Sequence, residues 1–153
     1  MKPLVVLLAA FGLTLGLSYV AGGQPNWRLA GNVALAAMLL FTAIGHFAFA
    51  EGMAKMLPGW FPARKFWVLF TGVIELAAAG GLLLPGLRPL TAGALIVFFI
   101  LILPANIHAA RQHLDYQRGT LDGPGPAYLW FRVPLQLLFI GWAWYFGLHL
   151  AAA

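Results

Sequence analysis

No cysteine occurs among these 153 residues, and only four acids do. The first absence removes disulfides, thiolate metal sites, iron–sulfur ligation and CxxC redox chemistry at once. Any redox role would therefore need a bound cofactor or a partner. Charge of either sign is scarce, at 8% of residues against roughly 25% in soluble domains. The nine Lys and Arg form no long run and lie between apolar spans, which argues against nucleic acid as a partner. No HxxxH or ExxH pair is present, so no metal site is expected. No Ser lies near a His, which leaves nucleophilic catalysis without support, and no haem motif occurs.

What the chain has in quantity is hydrophobic residues, at 62%, so it reads as one all-α membrane domain over residues 1–153. Five apolar spans can be marked. The first, Pro3–Gly22, follows Lys2 and mimics a signal peptide, but about 20 apolar residues with no polar stretch before Gln24 favour a retained helix. The second runs over about Leu29–Ala50, the third over Phe66–Leu84, the fourth over Leu90–Ala110 and the fifth over Leu129–Leu150. Gly, Pro and Asn punctuate the turns between them, and Trp27 stands where an interface anchor would.

Counting charges orients the spans. Lys2, Lys55, Arg64, Lys65, Arg111, Arg118 and Arg132 fall on one side, and Arg28 and Arg88 on the other. The positive-inside rule then puts the N-terminus in the cytoplasm and the C-terminus outside.

Glu75 lies near the middle of the third span, roughly 13 Å from its cytoplasmic end at 1.5 Å per residue. A carboxylate at such depth costs roughly 2.5–3.5 kcal/mol on insertion scales, so it needs a partner, a cavity or a proton. Thr71, Gly72, Ala78 and Ala79 share its helical face, and such small residues let other helices approach closely. His46, Asn106, His108 and Gln136 come out at similar depth, in the cytoplasmic half, while the outer half reads as apolar apart from His149. Pro104 frees the carbonyl of Ile100, for which Asn106 or His108 is a suitable donor. Asn106 is expected to face inward. His108, two residues on, cannot share that direction in a regular helix. Arg132 and Gln136 share a face of the fifth span, and Arg132 could pair with Glu51 or reach Glu75. These residues outline a polar pocket between helices.

Four blocks carry a resemblance: HFAFAEGMAKMLPGWFP (46–62), VLFTGVIELAAAGGLLLPGLR (68–88), LILPANIHAA (101–110) and RVPLQLLFIGWAW (132–144). Their order and spacing resemble the DoxX-like family of small bacterial membrane proteins over about residues 30–146. The matching positions are His46, Pro58, Trp60, Glu75, Pro104, Asn106, Arg132 and Gln136. The resemblance implies a four-helix transmembrane bundle at 27–150, with residues 1–22 as an added N-terminal helix. Members of that family include subunits tied to quinone-linked sulfur oxidation, components of oxidative-stress assemblies and a distant receptor-assembly chaperone.

The expectation is a binder of a small amphipathic or quinone-like molecule, held by Glu75, His46, Asn106, Gln136, Arg132 and His108. It would serve a membrane oxidoreductase as an accessory subunit, among membrane lipids and in one or more copies. Whether the chain is itself an enzyme is left open. One alternative is a non-catalytic assembly factor whose polar cluster specifies helix packing. Another is a proton-coupled transporter, for which the outer half offers no matching polar path.

Overall fold

The computed structural model describes residues 2–150. Six α-helices make up most of it: α1 (Lys2–Gly22), α2 (Trp27–Ala48), α3 (Ala50–Ala54), α4 (Arg64–Leu83), α5 (Arg88–Arg111) and α6 (Leu129–Trp142). A 3-10 turn at Pro126–Tyr128 leads into α6, and a π-helix, Ala143–His149, continues it without a break. No strand forms among the described residues; Asp115 and Thr120 share an isolated antiparallel bridge. Helices α1, α2, α4 and α5 are each long and apolar enough to cross a membrane.

Local chemistry sets the boundaries. Asn26 caps α2, its side-chain oxygen accepting the Leu29 N–H at 2.9 Å. α4 stops at Leu83 because Leu84, which precedes Pro85, is extended, as residues before proline tend to be. Four residues after Leu84 α5 begins, with Pro89 in its first turn, where a missing N–H costs nothing.

The core is assembled from small and branched residues of α2, α4, α5 and α6: Leu35, Leu39, Leu82, Leu95 and Phe139 among them. α1 is peripheral. It buries only Leu7 fully, and its Phe11 ring meets Trp142 edge-on at 5.0 Å.

The fifth expected span, Leu129–Leu150, takes a different form from the other four. It is a 14-residue α-helix followed by seven residues of π-helix. The wider turn accompanies an interhelical contact: the Phe146 carbonyl accepts from Asn32 Nδ2 of α2 at 2.9 Å. A backbone oxygen spent on another helix is one that the α-helical ladder does without, and π segments commonly mark such places.

Gly31 faces the Phe146 ring so closely that a Cβ there would overlap it. Gly31→Ala should therefore lower stability by about 1–3 kcal/mol through overpacking. Gly12→Ala, with nothing within 4 Å of the added carbon, should leave it unchanged. Thermal unfolding of both variants in detergent, followed by circular dichroism, checks this pair.

Candidate polar site in the helix bundle

Glu75 sits on the face of α4 that also carries Val68, Gly72 and Ala79, all buried. The residue is 3% exposed, so the acid turns inward, away from the helix's apolar outer face. The helix it faces is α2. Gly72, one turn before the acid, lets that helix close in: a Cβ at this position would stand 2.9 Å from the His46 Cβ. His46 thereby reaches Glu75, its Nδ1 lying 3.3 Å from Glu75 Oε2.

The same Nδ1 lies 3.0 Å from the Thr42 carbonyl oxygen. A carbonyl only accepts, so Nδ1 carries the ring proton and donates it there. Glu75 Oε2 is left beside a donor already committed, buried and without a hydrogen bond of good geometry. Uncompensated buried oxygens of this kind are rare. The pair is therefore half finished: a carboxyl oxygen that can take one more donor, or, protonated, can give one.

A second polar set joins α5 to α6. Asn106 Nδ2 donates to the Ile102 carbonyl at 3.2 Å, and its Oδ1 accepts from Arg132 Nη2 at 3.2 Å. Gln136 Nε2 donates to the Phe99 carbonyl at 2.7 Å. Asn106 and Gln136 are both buried. The set spans the stretch of α5 around Pro104, but the carbonyls it serves are those of Ile102 and Phe99, not that of Ile100. Among the described residues, no hydrogen bond or ion pair links this set to His46 and Glu75.

The six residues singled out in the sequence thus divide. His46 and Glu75 form one pair across α2 and α4, and Asn106, Arg132 and Gln136 form another group across α5 and α6. His108 joins neither. Its ring pairs with Gln112 of its own helix at 3.1 Å, as a position some 200° from Asn106 would. Arg132 pairs with neither Glu51 nor Glu75, because Asn106 holds it and Lys65 takes Glu51. Two clefts of about 390 Å³ each open on the loop side of the bundle, and neither is lined by Glu75. His46 and Glu75 offer two ligand-type groups, but among the described residues no set of three could hold a metal ion.

The other half of the bundle is not apolar. Asn32, 1% exposed, donates to the Arg28 and Phe146 carbonyls, and Arg88 Nε donates to the Leu82 carbonyl at 2.9 Å. Trp142 Nε1 donates to the Gly31 carbonyl at 2.9 Å. Asn32 stands out in the sequence as an amide inside the apolar run GNVALAAM, and depth counting applied to it would have found this cluster.

A family model described as a domain of unknown function (DUF8561) matches residues 35–147. No curated protein and no solved structure matches the chain.

Interhelical amide bonds in membranes contribute about 0.6 kcal/mol on average and up to about 1.7. Asn32→Leu, which removes one interhelical bond and one within α2 and leaves the Phe146 carbonyl orphaned, should lose about 1–2 kcal/mol. Gln136→Leu, with one bond at stake, should lose less. Both are measurable by equilibrium unfolding in mixed micelles.

Proposed function

The chain belongs to the DUF8561 family, and from that premise we propose that it binds a small amphipathic or quinone-like molecule at the His46–Glu75 pair. The observation that supports this reading is the buried Oε2 of Glu75, which lacks a hydrogen-bond partner, as Asn32 Oδ1 and Arg28 Nε also do on the other side of the bundle. A protonated Glu75 can donate to a ligand carbonyl, and an ionised one can accept from a ligand hydroxyl. The same carboxyl therefore suits both forms of a quinone-like group. His46 is the proton-exchanging neighbour, its ring 3.3 Å from the carboxyl and partly exposed.

The protein is read as a DoxX-like four-helix transmembrane bundle with α1 as an added helix. In support, α1 lies outside the residues that the family model matches and buries little of its surface. The distribution of Lys and Arg supports a cytoplasmic N-terminus and a loop side that faces the cytoplasm, in a bacterial inner membrane. In this reading the chain serves a membrane oxidoreductase as an accessory subunit.

A second reading, an assembly factor whose polar groups specify packing, is favoured by the α5–α6 set. There Asn106, Arg132 and Gln136 are engaged with one another or with backbone carbonyls. We assign that set to packing and the α2–α4 pair to binding. On this division Asn106, Arg132, Gln136 and His108 are not ligand contacts.

Native mass spectrometry of the purified protein tests the proposal directly. The wild type should carry a co-isolated quinone-like molecule or lipid. Glu75→Gln should unfold at the wild-type temperature and hold that molecule about tenfold less tightly, the loss of roughly one charge-assisted hydrogen bond. A Glu75→Gln protein that fails to assemble, or that keeps its ligand undiminished, would hand the pair to the packing account.

A further inference from the structure

A cleft of about 390 Å³ lies where the last turn of α2, the short α3, the start of α4 and residues 116–119 meet. Its walls are chemically divided. Phe47 and Leu69 come from the two spanning helices and are apolar; Lys55, Lys65 and Arg118 come from the loop side. Glu51 is the one acid in the lining.

The cleft is built by specific contacts between segments far apart in the chain. Gly52 meets the Tyr116 carbonyl so closely that a Cβ would overlap it. Phe49 packs edge-on to Tyr116 at 6.3 Å, and Lys55 Nζ donates to the Gly119 carbonyl at 2.7 Å. The three cations differ in what answers them. Arg118 is paired with Asp115 and Asp122, and Lys65 with Glu51. That second pairing, first by hydrogen bond and then by charge, holds the Glu51 carboxyl below its ordinary value. Among the described residues Lys55 meets only a neutral carbonyl, so no carboxylate there neutralises its charge.

An unanswered ammonium above an apolar floor suits a molecule with an anionic head and a hydrocarbon tail. We propose that this cleft holds the headgroup phosphate of an anionic phospholipid of the surrounding bilayer, with Lys55 on the phosphate and an acyl chain leaving along Phe47 and Leu69. A free phosphate would use Lys55 alone and gain nothing from the two apolar side chains. The assignment does not depend on what binds at Glu75.

The test uses the full chain in detergent, titrated separately with phosphatidylglycerol, phosphatidylcholine and inorganic phosphate, and read by native mass spectrometry and thermal shift. Phosphatidylglycerol should be retained and should stabilise the protein, and the other two should not. One basic residue near a lipid surface contributes about fivefold in affinity, so Lys55→Gln should bind about fivefold more weakly and Lys55→Arg should restore binding. Glu51→Gln should bind several-fold more tightly, because it releases Lys65 without touching the Lys55–Gly119 contact. Arg28→Gln, at the other end of the bundle, should bind as the wild type does. Equal retention of phosphatidylcholine, stabilisation by inorganic phosphate alone, unchanged binding in Glu51→Gln, or a loss in Arg28→Gln matching that of Lys55→Gln would each overturn the assignment.

Discussion

An acid in the middle of an apolar helix has to be answered by the helices around it. Here the answer is a close crossing of α2 and α4. It depends on Gly72, since any larger residue would push the His46 backbone away from Glu75. The contact is unusually economical in polar atoms: one imidazole N–H serves a backbone carbonyl and stands beside a carboxyl oxygen. Helix interfaces in membranes draw their stability from close packing and interhelical hydrogen bonds, because lipid is as apolar as leucine. An interface that forgoes a hydrogen bond at its most polar point is giving up stability that neighbouring interfaces collect.

That contrast sorts the molecule's polar groups. Asn32, Gln136 and Trp142 each tie a side chain of one helix to a backbone carbonyl of another. Such bonds specify crossing position, since a carbonyl is available only where the ladder or a proline has left one accessible. They sit at both ends of the bundle and need no ligand to be complete. One imperfection stands on the Asn32 side, where Asn32 Oδ1 and Arg28 Nε are buried and unpaired. These two groups are an acceptor and a donor four residues apart on one helical face, so each is of the kind the other lacks. Beside Glu75 Oε2 the nearest donor, His46 Nδ1, also serves the Thr42 carbonyl.

The helical architecture was legible from hydrophobicity alone, and span boundaries came within a few residues because Pro85, Pro89 and Asn26 act through local chemistry that needs no tertiary context. The inward face of Glu75 was legible too, from the small residues around it. What depth could not supply was azimuth. His46, Glu75, Asn106 and Gln136 lie at similar heights, and height alone suggested one pocket. Side-chain direction decides the matter: α4 packs on α5 as well as on α2, but Glu75 turns to His46 of α2, while Asn106 and Gln136 make their interhelical bonds between α5 and α6. Arg132 was misassigned for the same reason: its partner Asn106 lies on the adjacent helix, whereas Glu51 was already taken by Lys65. The π-helix was hidden because nothing in AWYFGLH breaks an α-helix; its cause lies on α2, in Asn32.

The end of α2 joins the two regions at which binding is proposed. His46 and Phe47 are consecutive, and adjacent residues on a helix point about 100° apart. One therefore turns to Glu75 while the other lines the loop-side cleft. The helix stops at Ala48 and resumes as α3 at Ala50, and between them the Phe49 N–H donates to the Gly45 carbonyl while the Phe49 carbonyl accepts from the Met53 N–H. Helix ends open more readily than interiors. A molecule lying against Phe47 would press on that turn, and the side chain it would move next is His46. The charged rim and the buried carboxyl are thus chemically separate but share one turn of backbone. The cleft reaches Glu75 by two routes, through His46 on α2 and along α4, whose Lys65 and Leu69 also line it.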